Sequence, residues 1–443
     1  MYVCGVTVYD NCHLGHARAY VAFDILVRYF RYQGYKVNYV RNITDIEDKI
    51  IERANENSES IYDLTSRTIA SMHADFQGLG LIEPNSEPKA TEYIDGMVIM
   101  IEDLIAKGHA YVADNNDVFF SVRSYEEYGK LSNKVLDDLD PGSRISEDQA
   151  KADPLDFVLW KSAKPEEPSW DSPWGKGRPG WHIECSVMSL EKLGKNFDIH
   201  GGGPDLIFPH HENEIAQSKG VDSQENFVNY WLHNGMLNLS GKKMSKSDGN
   251  VKLLNEYIDE YSGEVVRFFF LRAHYRSPQE FSEHLLQEAK KTLTNLREFT
   301  KDVEAEPNDN DLIDIFVKCM NDDMNTPKLL GEIFQKIKDT YDLNQENTIK
   351  IKQTVKFIFE ILGFELKTSK KKIVDEKLLS EFFQKYNIKF IDIDSAMNDF
   401  RDKREKLRNN RQYGEADKMR EDLLEIGIVM NDGENVGWYW KTS

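Results

Sequence analysis

The chain has 443 residues, with 56 basic side chains against 76 acidic ones and a formal charge of −20 at neutral pH. At roughly 150 residues per domain that length holds about three domains. So acidic a surface repels phosphate at long range, which excludes non-specific nucleic-acid binding over the whole protein and confines any such contact to local patches. Cysteines at only positions 4, 12, 185 and 319 form no close-spaced framework and point to a reducing compartment, the cytoplasm, while no apolar run approaches the ~20 residues that span a bilayer.

In chain order, Tyr2 to Tyr9 (YVCGVTVY) is apolar on both alternating faces and predicts a strand buried within a parallel sheet. A helix is expected from about His16 to Gln33, stopped by Gly34, and Lys36 to Ile43 returns to strand character. Strand, helix, strand predicts a right-handed crossover unit of an α/β domain. From about Glu92 to Trp174 the pattern changes to a helix, a hairpin across Asn115 and Asn116, and the Pro/Gly/Trp-rich KPEEPSWDSPWGKGRPG. This reads as an insertion that splits one sheet domain, because strand-like Phe197 to His200, Gly201 to Gly203 and a helix starting near Pro209 resume the α/β pattern. From Ser282 onward helices dominate: Leu285, Leu286, Ala289, Leu293 and Leu296 share a face, and Asn325-Thr326-Pro327 makes a helix start. The lysine-rich run at Ser369 to Lys372 links to a last small domain.

Three segments carry chemistry. HLGH, His13 to His16, falls where a strand gives way to a helix, whose N-terminus offers amide N–H groups and the positive dipole end to phosphate. Gly15 there admits a nucleotide close to the backbone and two imidazoles can donate to phosphate oxygens; alone, the four residues equally suit a helix cap with packed histidines. GKKMSKSDGN, Gly241 to Asn250, is able to fold over a polyphosphate and neutralise a departing pyrophosphate, and alone equally reads as an exposed basic turn. In FPHHENEIAQS, Phe208 to Ser218, a helix opened by Pro209 sets His210 and Glu214 four apart on one face, spacing suited to a shared metal, with His211 and Glu212 pointing elsewhere; a surface pair is the alternative. Cys4 and Cys185 are candidates to complete a tetrahedral zinc site, whereas Cys12 and Cys319 read as structural.

Taken together, MYVCGVTVYDNCHLGH, YVRNITDIEDKI, SPWGKGRPGWHIECS, FDIHGGGPDLIFPHHENEIAQS and KMSKS resemble, in order, the segments of the cysteinyl-tRNA synthetases, a family of class I aminoacyl-tRNA synthetases, from Met1 to about Trp440. The resemblance implies an α/β fold: a Rossmann-like catalytic domain in two halves, 1–92 and 175–235, split by an inserted α/β connective domain, 93–174. A signature-loop domain, 236–281, a tRNA-binding helical bundle, 282–368, and a linker with a small mixed anticodon-binding domain, 369–443, then follow. It also implies that His13, Gly15 and His16 bind ATP phosphates, with Lys243 and Lys246 of the second signature joining the two histidines in catalysis and Lys246 also binding ATP. By the same resemblance Gly201, Gly202, Gly203 and Asp205 hold the nucleoside, Thr44 and Trp181 line the cysteine pocket, and Cys4, Cys185, His210 and Glu214 ligate one zinc ion per chain.

The implied substrates are L-cysteine, ATP with Mg²⁺, and tRNA(Cys). Attack of the cysteine carboxylate on the α-phosphorus gives cysteinyl-adenylate and pyrophosphate without a general base, and the terminal adenosine hydroxyl of the tRNA then takes the cysteine. Zinc selects the substrate thiolate over a serine hydroxyl, which accounts for the lack of an apparent editing domain. In the tail, six basic residues face two acidic ones between Arg401 and Arg411. Arg401, Arg404, Arg408 and Arg411 are expected on anticodon-stem phosphates, with Trp440 supporting a splayed base. A cytoplasmic monomer without membrane attachment is expected, with an N-terminus that is late or shortened, since the family carries a lead-in before its first strand. The alternatives are a cysteine ligase that hands the same adenylate to a small amine, and an inactive tRNA- or nucleotide-binding relative.

Overall fold

Strand β1 (Tyr2–Thr7) is buried along nearly its whole length because it is an inner strand of a parallel sheet in the computed structural model. The structure describes residues 1–136, 150–223, 226–239, 242–243, 252–366, 376–410, 412–426, 428–431 and 437–440. Helix α1 (Leu14–Tyr32) crosses over to β2 (Val40–Thr44), and Gly34, with φ of +88°, turns the chain after the helix as expected. β2 starts later than its composition suggests because its first residue, Val40, pairs with Tyr2, where β1 itself begins. Helices α2 (Asp48–Asn57), α3 (Ile61–Gly78) and α4 (Ile94–Ala106) follow.

The expected hairpin is present: β3 (Ala110–Val112) pairs with β4 (Val118–Phe120), and Asn116 takes the left-handed turn conformation at φ of 64°. With β5 (Phe157–Ser162) and β6 (Gly177–Pro179) they make an antiparallel sheet in the order 3-4-5-6. Helix α5 (Trp181–Leu193) leads into β7 (Phe197–Gly202), and helix α6 (Glu212–Val221) into β8 (Val228–His233). The parallel sheet runs in the order β2-β1-β7-β8. Pro209 does not open α6. Phe208 before it is extended, as a residue preceding proline prefers, and the turn Ile207–His211 intervenes before the helix begins at Glu212.

Alternation along β1 sends its side chains to two cores. Val3 joins Phe23, Leu26, Phe268, Phe269 and Phe316 on the α1 side, whereas Tyr2 and Cys4 join Met97, Ile101, Phe120, Trp160, Ile183 and Cys185 on the other. Thus Cys4 faces α5. Strands β9 (Leu237–Leu239) and β10 (Lys242–Lys243) precede helices α7 (Leu254–Tyr261) and α8 (Gly263–Leu271), and β11 (Gln279–Phe281) pairs with β9 in a small sheet ordered β10-β9-β11.

Helices α9 (Glu283–Phe299), α10 (Asn310–Asn321), α11 (Thr326–Asp339) and α12 (Gln345–Ile361) complete the first compact unit, Met1–Leu366. Ser282 caps α9 and Asn325 caps α11, with Pro327 in its first turn. The apolar face of α9 buries Leu286, Ala289, Leu293 and Leu296, at about 2 kcal/mol for each leucine side chain, and leaves Leu285 half-buried. Cys12 and Cys319 are both buried in the α1-side core, in keeping with a packing role.

The second unit, Lys367–Ser443, has its own core of Phe382, Phe383, Met397, Phe400, Met419, Leu423 and Ile428. It contains α13 (Glu376–Lys385), α14 (Ile393–Asn409), α15 (Tyr413–Glu425) and the antiparallel pair β12 (Ile428–Asn431) and β13 (Gly437–Trp440). One expectation fails here. Arg404 is buried at 4 % exposure and its Nε donates to the Ala416 carbonyl at 2.9 Å, so its guanidinium ties α14 to α15 and is not presented to a phosphate.

Candidate nucleotide and metal site

In the sheet order β2-β1-β7-β8, α1 carries the chain from β1 to one side and α6 carries it from β7 to the other. The crevice at the carboxyl ends of two adjacent strands whose connections diverge is where open α/β sheets take ligands. HLGH follows β1 at this crevice and Gly201 to Gly203 close β7. His13 is the N-cap of α1: its Nδ1 accepts the Gly15 N–H at 3.0 Å, and His16 Nδ1 accepts the His13 N–H at 3.2 Å. The two rings stack with centroids 4.0 Å apart. With both Nδ1 atoms accepting, each neutral ring carries its proton on Nε2. Cap and phosphate-facing donor, offered by the sequence as alternatives, are therefore compatible in one geometry.

Gly15 is required by the cap itself, since a Cβ there stands 2.8 Å from His13 Cε1 and 2.9 Å from Nδ1. Gly15→Ala is expected to displace the His13 ring and cost about 1 kcal/mol of stability, read by denaturant unfolding. An unchanged midpoint would contradict the cap. The glycines after β7 are constrained likewise: a Cβ on Gly201 meets the Phe23 ring at 2.2 Å, on Gly202 Leu206 Cδ1 at 2.8 Å, and on Gly203 Asp205 Oδ1 at 2.6 Å.

On the opposite face of β1 four buried donors converge. Cys4 Sγ lies 3.9 Å from Cys185 Sγ and 3.8 Å from Glu214 Oε1, and His210 Nε2 lies 3.2 Å from the same carboxylate oxygen. All four donor atoms fall within 4.8 Å of one another. Tetrahedral zinc with Zn–S bonds of about 2.3 Å sets its sulfurs about 3.8 Å apart, so the donor set fits zinc both chemically and in span. Burial raises the Cys185 thiol, but the hydrogen bond from Cys4 and the neighbouring His210 bring it down to about 6. Burial lowers His210, and Cys185 and Glu214 bring it up to about 10. Burial pushes the Cys4 thiol up, while the charge and hydrogen bond of His200, with those of His210, hold Glu214 well below the usual carboxylate range against its burial. A dication bound by Cys4, Cys185, His210 and Glu214 would take the place of the protons on Cys4 and His210.

The class I tRNA synthetase (C) catalytic-domain family matches residues 1–291. Over 455 residues the chain is 47 % identical to the cysteine–tRNA ligase of Legionella pneumophila (strain Paris), with all of this chain aligned to 94 % of that one. Over 447 residues it is 48 % identical to the cysteine–tRNA ligase of Dichelobacter nodosus (strain VCS1703A), again with all of this chain against 94 %. The chain belongs to the cysteine–tRNA ligase family. Solved class I synthetases share its fold: Mycobacterium tuberculosis methionyl-tRNA synthetase bound by methionyl-adenylate superposes with a TM-score of 0.60 at 15 % identity, covering 86 % of this chain and 94 % of that one. Agrobacterium radiobacter K84 leucyl-tRNA synthetase in its ternary complex gives 0.58 at 12 % identity, with 82 % and 83 % covered.

In this cysteine–tRNA ligase family member the Trp181 ring packs against His210 at 4.4 Å between centroids with the planes tilted by 39°, and His210 Nδ1 lies 2.9 Å from His182 Nδ1, a contact that orients the ring. Thr44 Oγ1 donates to Glu184 Oε2 at 2.9 Å, in the residue beside Cys185. Glu212 does point elsewhere, accepting the N–H groups of Gly129 and Ser132 at 2.7 Å each.

His211 does not point away. Its Nε2 is 3.4 Å from Cys4 Sγ and its Nδ1 2.8 Å from His233 Nε2, because the turn before α6 brings both neighbouring histidines inward. Sequence reasoning also missed His200, whose Nε2 lies 2.8 Å from Glu214 Oε2 and which pairs across the sheet with Tyr2. Strand alternation was the available signal, since Tyr2 and Cys4 share a face. Asp205 is exposed beyond Gly203. Lys243 is placed by its backbone in β10, opposite Asn238, and Trp440 by its backbone in β13, opposite Ile428. Lys246 and Arg411 lie outside the described residues. Arg401 and Arg408 are exposed on α14.

Proposed function

We propose that this enzyme joins L-cysteine to tRNA(Cys) through cysteinyl-adenylate at the β1/β7 crevice. The convergence of Cys4, Cys185, His210 and Glu214 on the face of β1 opposite α1 carries the reading, because two thiols with an imidazole and a carboxylate are suited to one zinc per chain. Bound there, zinc supplies a soft electrophilic seat for a substrate thiolate that a serine hydroxyl cannot match. Thr44 and Trp181 border that seat and orient the amino acid. His13 and His16 donate from Nε2 to the phosphates of ATP, which arrives with Mg²⁺, and Gly201, Gly202, Gly203 and Asp205 hold its nucleoside.

The cysteine carboxylate is ionised at neutral pH and attacks the α-phosphorus directly. The bond to the bridging oxygen breaks and pyrophosphate leaves under the charge of Lys243 and Lys246. The terminal hydroxyl of the tRNA then attacks the adenylate carbonyl and releases AMP. We assign the domains as 1–92 with 175–235, 93–174, 236–281, 282–368 and 369–443, and place the anticodon contacts on Arg401, Arg408, Arg411 and Trp440, without Arg404. The chain acts as a cytoplasmic monomer; no helix among the described residues is long and apolar enough to cross a membrane.

Cysteine-dependent exchange between ATP and pyrophosphate, followed by charging of tRNA(Cys), tests the reading. A chain ending at Leu366 keeps every expected catalytic and zinc residue, so it is expected to retain exchange while its charging efficiency falls at least about tenfold, with full-length tRNA binding weakening as salt rises. Undiminished charging by the shortened chain removes the anticodon role, whereas full-length protein with exchange but no charging of tRNA(Cys) favours the small-amine ligase.

A further inference from the structure

Arg18, two residues beyond HLGH on α1, is 2 % exposed, yet each of its acceptors is neutral. Its Nε donates to the Gly235 carbonyl at 2.8 Å, its Nη1 to Gln279 Oε1, and its Nη2 to the Ser277 carbonyl, with the carbonyls of His274 and Tyr275 at 3.4 and 3.5 Å. A buried charge with no carboxylate partner is costly and persists only where several hydrogen bonds replace its water. Burial lowers this guanidinium to about 10, so it stays protonated at neutral pH.

The acceptors share one location. Gly235 lies two residues before β9 and Ser277 two before β11, the parallel pair that carries β10 and Lys243. The two approaching chains touch there: Gly235 N–H donates to the Tyr275 carbonyl at 2.7 Å, and a Cβ on Gly235 would stand 2.2 Å from the Ser277 carbonyl oxygen. Gln279 extends the contact, its Nε2 donating to the Phe269 carbonyl of α8 at 2.9 Å. On the far side of the signature segment the chain returns to the same helix, with His13 bridged to Leu253 and Leu254 N–H donating to the Cys12 carbonyl at 2.9 Å.

We infer that Arg18 is a positioning residue for adenylate formation, clamping the root of the β9–β11 pair that leads into the second signature onto the helix that bears the first. This rests on the reading that His13, His16 and the signature lysines act on one ATP. The planar fork engages Gly235, Gln279 and Ser277 together; a lysine keeps the charge but cannot reach all three. Misplacement of one catalytic group by about 1 Å costs about a hundredfold in rate.

The test compares Arg18→Lys and Arg18→Met with the wild-type full chain in cysteine-dependent pyrophosphate exchange. In both, kcat is expected to fall about a hundredfold while KM for ATP stays within about threefold and zinc content is unchanged. Amide hydrogen exchange is expected to quicken about tenfold at Leu237 to Leu239 and Gln279 to Phe281 in both variants, and to stay unchanged across β7. A lowered melting temperature with wild-type kcat would make Arg18 merely structural and overturn the proposal, as would unaltered amide exchange in β9 and β11. A wild-type chain without cysteine-dependent exchange would instead overturn the reading of the site, and the amide measurement alone would then decide the clamp. Arg18→Lys, which preserves side-chain volume, serves where Arg18→Met does not fold.

Discussion

Cys185→Ser is expected to abolish zinc retention and cysteine activation while ATP still binds. The Cys185 sulfur is 3.9 Å from that of Cys4, inside a fully buried donor set, and of the two thiols it is the one whose surroundings already favour the thiolate. A serine oxygen is a hard, neutral donor at working pH and cannot replace it toward a borderline-soft cation. Loss of an outer partner of a metal site costs about 10- to 100-fold in affinity, so loss of a ligand is expected to exceed about a hundredfold. The crevice proposed for ATP, between HLGH and the end of β7, does not use this sulfur. The measurements are elemental analysis of the purified protein, cysteine-dependent exchange before and after chelation, and ATP binding by the variant. Zinc-free protein whose cysteine activation survives chelation would remove the site altogether.

Lys246→Ala is expected to slow adenylate formation by about two to three orders of magnitude with little change in cysteine affinity, because a cation opposite the departing pyrophosphate matters only as its charge develops. The described residues flanking its segment fit this role: Lys243 precedes it in β10, and Leu253 follows it beside His13. Pre-steady-state formation of adenylate, set against equilibrium binding of cysteine, separates the two effects. Normal turnover with weakened cysteine binding would move Lys246 from the transition state to the amino-acid pocket.

Local signals carried much of this protein into view. The double-faced apolar run of β1, the stop at Gly34, the turn at Asn115 and Asn116, and the caps Ser282 and Asn325 each act within a few residues, so the chain alone specifies them. HLGH was also legible, as a helix start; KMSKS beyond Lys243 lies outside the described residues, and Cys4, Cys185, His210 and Glu214, grouped in the sequence by the family resemblance, do come within 4.8 Å of one another. What waited for the tertiary structure was every relation across distance. Cys4 and Cys185 are 181 residues apart, and their meeting depends on which face of β1 packs on α5. His211 turns inward because an extended Phe208 delays α6 to Glu212, a shift of three residues that rotates the whole HHEN segment. Arg404 reads as a solvated cation until α15 closes over it, and Arg18 as an ordinary helix residue until Gly235 and Ser277 arrive around it. Residue spacing encodes a helix or a strand because its hydrogen bonds and side-chain period are local. Burial, and with it the neighbours that set each side chain's charge and role, is a property of the assembled fold.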